Sequence, residues 1–136
     1  MEIFKDIPWY EWLYQVSNLW RVRSLNRIVH NKWSWNTYSI KWKTLKLWNS
    51  WIWYKQAILC KGWPPCAIRV HKLVMLIFIW ERPIEWNWNK YHINHKNWIK
   101  DDNRLENLEY CTASENSKHR FSVLGHIQHN KWKWKL

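Results

Sequence analysis

The chain has 136 residues, room for one compact domain or two small modules, and carries 22 Lys and Arg against 10 Asp and Glu, a formal net charge of +12. No apolar run reaches the roughly 18 to 20 residues of a membrane span. The N-terminus carries Glu2 and Asp6 and no apolar signal region, so a cytoplasmic protein without a membrane partner is expected. Three cysteines, Cys60, Cys66 and Cys111, form no C-x-x-C pair and cannot supply four thiolates, so reduced thiols and no structural zinc are expected.

The first elements in chain order are an apolar entry segment, a strand over Leu13 to Val16, a Ser-Asn turn and a strand over Arg21 to Leu25. Ile7, Tyr10, Leu13, Tyr14, Val16, Leu19 and Val22 are the expected core of this piece, with Arg21 and Arg23 on one face. Residues 26–50 read as loop-rich, with one strand near Thr44 to Leu47. Tyr54 to Cys60 and Cys66 to Val70 predict a hairpin across the Pro64-Pro65 turn. A helix follows from Val70 to about Ile79, and its apolar excess predicts burial. On it His71 reads either as a core histidine or as a group beside a site.

From Glu81 to Lys90 the composition is that of a linker. The stretch YHINHKNWIKDDNRLENLEYCTASENSKHR, Tyr91 to Arg120, then predicts strand, polar loop, short strand (Leu108 to Cys111) and helix. Thr112 and Glu115 form a T-x-x-E capping box, which starts the helix at about Ala113 and puts Asn116 and His119 on one face. His95 on the first strand then meets Asn116 across the unit. After Arg120 comes a basic tail with Lys131, Lys133 and Lys135.

Charge distribution says more than total charge. No acid lies between Glu11 and Glu81, while eleven cations do: Arg21, Arg23, Arg27, Lys32, Lys41, Lys43, Lys46, Lys55, Lys61, Arg69 and Lys72. Uncompensated cations repel one another, so this half is expected to bind a polyanion.

The segment N-H-K-N-x-I-K-D-D-N-R-L-E-N-L-E-Y-C-T-A-S-E-N-S-K-H resembles the HNH nucleases over nearly thirty positions. MEIFKDIPWYEWLYQVSNLWRVRSL in turn resembles the module that precedes HNH domains in phage and intron-encoded homing endonucleases, enzymes of mobile elements. The resemblance implies an α+β chain: a small basic β-rich DNA-binding module over residues 1–50, an endonuclease domain over 51–120 whose ββα-metal (His-Me finger) core is 91–120, and a tail over 121–136. It implies His95 as general base, a task suited to an imidazole titrating near neutrality. Asn107 is the motif's central asparagine, holding the loop and helping to fix the histidine. Asn94 and Asn116 fall on metal-ligand positions, with His119 assisting at the metal or a phosphate. The expected metal is one divalent ion, Mg²⁺ or Mn²⁺; Asn94 stands where relatives often carry Asp, and a carboxamide binds a hard cation more weakly than a carboxylate. Double-stranded DNA is the implied partner, contacted by Arg21, Arg23, Arg27, Lys43, Lys46, Lys55, Arg69, Lys96, Lys118 and Arg120. One finger cuts one strand, so a nicking monomer without a protein partner is expected. The alternative is a decayed homing element that binds DNA without cutting it.

The chain holds 16 Trp and 2 Gly, whereas glycine averages about 7% of residues. The tryptophans fall where glycine chemistry is expected: Asn97-Trp98 reads as an Asn-Gly turn, which needs a positive φ. With glycine restored, IPWYEWLYQVSNLWRVRSL becomes IPGYEGLYQVSNLGRVRSL, closer to the homing-endonuclease pattern. The expectation is a UGA codon read as glycine in the natural gene and written here as tryptophan. The rival is a set of real stacking platforms for unpaired bases.

Overall fold

The computed structural model describes residues 1–30, 35–79 and 91–128, with side chains of the last helix as far as Ser122. The linker expected at Glu81 to Lys90 and the tail lysines lie outside the described residues.

Strands β1 (Phe4–Asp6), β2 (Tyr14–Ser17) and β3 (Val22–Ser24) form an antiparallel meander. Strand β4 (Arg27–His30) leaves it, pairs among the described residues only with β5 (Thr37–Ile40), and the chain returns through β6 (Lys43–Thr44) to close a sheet of order β1-β2-β3-β6. A second sheet follows, β7 (Trp48–Asn49), β8 (Lys55–Leu59) and β9 (Cys66–Arg69), antiparallel throughout. Helix α1 (Val70–Phe78) continues straight out of β9, its first residue preceded by an extended Arg69. The last unit is β10 (Tyr91–His95), a single 3-10 turn (Leu105–Asn107), β11 (Leu108–Thr112) and α2 (Ala113–Gln128).

One hydrophobic cluster joins these pieces. Ile7, Tyr14, Val16 and Val22 from the first sheet meet Ala57 and Leu59 of β8, Val70, Leu73, Val74 and Met75 of α1, and Leu108 of β11. Each fully buried aliphatic side chain here contributes about 1.5 to 3 kcal/mol relative to exposure. Helix α1 thus lies between the sheets and the finger, as its apolar sequence predicts. Its first turn carries His71 into the same interior.

Three expectations need correction. Residues 26–50 are not mainly loop, because β4 and β5 form a two-stranded ribbon with Ile28 and Tyr38 exposed. The strand expected at Thr44 to Leu47 is split into the two-residue β6 and β7, since Leu45 and Leu47 turn inward to pack on the core between them. Leu19 is not core: it sits in the β2–β3 turn, 39% exposed.

Candidate active site in the finger

Strands β10 and β11 pair in the register Asn94↔Glu109 and His95↔Leu108, so successive residues of β10 face opposite ways. Both Asn94 and His95 are buried. The capping box forms as expected: the Glu115 carboxylate accepts from the Thr112 backbone N–H at 2.8 Å, and the Glu115 N–H donates to Thr112 Oγ1 at 3.2 Å. The Thr112 backbone N–H and the Thr112 hydroxyl, both donating to the carboxylate, hold the Glu115 carboxyl below its usual range, and the box sets the start of α2. The helix start in turn fixes where Asn116 and His119 stand.

His95 is held by a residue the sequence reading did not single out. Its Nε2 lies 3.0 Å from Oδ1 of Asn103, a side chain with no exposed surface. Asn103 cannot present its amide nitrogen instead, because Nδ2 donates to the Asp101 carbonyl at 3.2 Å. Oδ1 therefore accepts, His95 Nε2 carries the hydrogen, and Nδ1 keeps its lone pair. That tautomer is the one a base needs.

Asn107 acts on the loop rather than on the ring. Its Nδ2 donates to Asn97 Oδ1 (2.9 Å) and to the Asp102 carbonyl (2.7 Å), and its Oδ1 accepts from the Asn97 N–H (3.0 Å). Asp102 joins the same brace through Asn97 and Arg104, and the Arg104 guanidinium holds its carboxyl down at about 2. The loop between the strands is therefore cross-linked from both ends.

Asn94 donates through Nδ2 to Glu109 Oε1 at 2.8 Å and meets His119 Nδ1 at 2.9 Å. An ionised Glu109 only accepts, so the amide orientation is set and Asn94 Oδ1 is left over as an acceptor. Asn116 is half-buried on the same helix as His119. Among the described residues no three His, Cys, Asp or Glu side chains converge, so a metal here would rely on carboxamide oxygens. Those oxygens are hard donors and suit a hard divalent cation. Across the finger the Trp98 ring stacks on His119 with centroids 4.8 Å apart.

Most of the cations expected at DNA are engaged within the chain. Arg21 pairs with Glu2, and Arg23 binds Gln15 Oε1 (2.6 Å through Nη2) under the Phe4 ring. Arg27 donates to the Leu13 carbonyl and the Tyr14 hydroxyl, so it braces the first sheet. Lys55 reaches Asn49 and Asp101, Arg69 lies over Tyr54, Lys46 lies over Trp48, and Lys96 donates to the Glu106 carbonyl. Lys43, Lys118 and Arg120 are exposed.

The HNH endonuclease family model matches residues 78–118. That span takes in His95, Asn103, Asn107 and Asn116. An uncharacterised HNH endonuclease, L247, of Acanthamoeba polyphaga mimivirus is 49% identical over 51 residues, 38% of this chain and 12% of that protein. The solved structure of the HNH homing endonuclease I-HmuI, described for DNA binding and cleavage, aligns with TM-score 0.64 and 28% identity over 93% of this chain and 64% of its own. The chain therefore spans about an eighth of the viral relative and under two thirds of I-HmuI. The mixed α/β fold matches that of an HNH homing endonuclease, and the finger is HNH-like in sequence as well as in fold.

Proposed function

We propose that this chain is a metal-dependent HNH endonuclease of the homing type that nicks double-stranded DNA, with His95 as general base. The observation that carries the reading is the buried His95–Asn103 pair, which leaves one imidazole nitrogen free to take a proton. His95 Nδ1 accepts a proton from the attacking water, and Asn103 Oδ1 stabilises the imidazolium that results. Asn107 keeps the loop closed around them. Asn94 and Asn116 would hold one divalent ion, Mg²⁺ or Mn²⁺, with His119 beside Asn94. Bound there, the ion would offset negative charge on the leaving 3′ oxygen. Lys43, Lys118 and Arg120 are exposed cations placed to contact phosphate, while Arg21, Arg23 and Arg27 first shape the basic sheet. Residues 1–50 are read as the DNA-contacting part and 51–120 as the nuclease part of one continuous core. The test is plasmid relaxation in Mg²⁺ beside DNA retardation in chelator. Retardation without relaxation would favour a decayed DNA-binding protein.

A second reading concerns the tryptophans and rests on the backbone. Every described non-glycine residue with positive φ is a tryptophan: Trp9, Trp12, Trp20, Trp35, Trp53 and Trp98, with φ between 56° and 66°. A bulky residue in that region costs about 1 to 2 kcal/mol, and glycine costs none of it sterically. Trp35, Trp51 and Trp63 are more than 90% exposed and bury nothing in return. The natural chain is thus read as carrying glycine at these positions, from a recoded UGA. Codon inspection decides it, since UGG triplets at all of them would end the idea.

A further inference from the structure

His71 lies outside the HNH motif, on the first turn of α1, yet its ring reaches the proposed base. It is 5% exposed and its Nδ1 has no hydrogen-bond partner. The neighbours of the ring are themselves aromatic. The centroids of His71 and His95 are 5.5 Å apart with planes at 82°, and Tyr54 meets His71 at 4.8 Å and 65°. Tyr54 and His95 are close to parallel, 27° apart at 6.0 Å. One small planar ring therefore stands across two others, an edge-to-face arrangement that aromatic quadrupoles favour. Arg69 and Lys100 lie over the Tyr54 ring at 5.3 and 5.2 Å.

We propose that His71 is a positioning residue for His95: its ring stands edge-to-face against the imidazole and, with Tyr54 lying nearly parallel to that imidazole, forms an aromatic wall that holds it in the rotamer in which Asn103 hydrogen-bonds it. The hydrogen bond alone fixes one point of the ring; the wall removes rotation about it. A planar ring is the required feature, and the His71 nitrogens are not. Burial, with help from His95, Arg69 and Lys72, brings the His71 pKa down to about 3, so the wall carries no charge against the base. The catalytic consequence rests on the nuclease reading above, while the positional one does not.

The test compares His71→Leu, which keeps volume without a planar ring, with His71→Phe, which keeps the ring. Both are made in the full chain and checked for folding by near-ultraviolet circular dichroism. The first readout is the ring-nitrogen spectrum of His95, which reports its tautomer. The expected result is a single Nε2–H form in the native chain and in His71→Phe, and an averaged pattern in His71→Leu. The second readout is nicking rate at saturating DNA, expected to fall about 10- to 100-fold in His71→Leu with DNA affinity unchanged. A folded His71→Leu that keeps the native His95 spectrum overturns the proposal, as does a folded His71→Phe that loses it. If the leucine variant does not fold, the phenylalanine spectrum alone decides. If the native chain never nicks but the spectra behave as expected, the wall stands and the nuclease reading falls.

Discussion

Asn103 accepts from His95 rather than donating to it, because the Asp101 carbonyl already takes the Asn103 amide hydrogen. Two bonds thereby choose the tautomer of the proposed base. Asn103→Ala should lower the nicking rate about 10- to 100-fold with little change in DNA affinity. Asn103→Asp, which still accepts from Nε2–H, should retain most activity. Single-turnover rates beside gel-shift titrations would show whether the acceptor is what matters.

Asn94 faces Glu109 across the strand pair at 2.8 Å. An aspartate at position 94 would set two carboxylates against each other. Asn94→Asp should therefore lower the melting temperature in chelator and raise it more than the native chain does when Mg²⁺ or Mn²⁺ is added. Adding Glu109→Gln should remove the penalty in chelator. Thermal unfolding with and without metal checks both signs.

His71 makes the fold acid-sensitive. Its pKa is held at about 3 in the fold against 6.5 when free, by burial first and then by His95, Arg69 and Lys72. The unfolded chain then binds a proton the folded chain refuses between those values. Stability is complete above pH 6.5 and falls as pH drops toward 3, by at most about 5 kcal/mol. The His71→Leu variant should lose this part of the slope, which urea unfolding at pH 7, 6 and 5 would measure.

The capping box is a local device with a local cost. Thr112→Ala removes the acceptor for the Glu115 N–H and should cost about 1 kcal/mol, read as a lower urea midpoint with unchanged slope. The tryptophan reading predicts the opposite direction. Trp98→Gly at φ 64° relieves a strained turn and uncovers His119, so it should raise both stability and nicking. A loss of stability on that change would favour genuine tryptophans.

The finger was legible because its signals are local: the T-x-x-E box, the strand ending in Asn94 and His95, and the turn-rich loop between. The β8–β9 hairpin and the apolar α1 were legible for the same reason. What sequence could not say is which asparagine of an Asn-rich loop faces the histidine, since Asn97, Asn103 and Asn107 differ only in tertiary direction. Asn107 braces the loop backbone, and Asn103 takes the ring. The β4–β5 ribbon was missed because residues 26–41 offer no two-residue Asn-Gly turn, only alternation broken by tryptophans. Arg21 and Arg23 looked like free cations because Glu2 and Gln15 approach them only after the sheet forms. His71 and His95 lie on different elements, joined by long-range packing that no local pattern encodes.

In the proposed mechanism His95 takes a proton from water. The most direct measurement is relaxation of supercoiled plasmid in Mg²⁺ by the glycine form of the chain and by its His95→Ala variant, with and without added imidazole. The predicted result is metal-dependent nicking by the parent, at least about 100-fold less by the variant, and partial recovery when imidazole supplies the missing base. Nicking by His95→Ala at the parent's rate would contradict it.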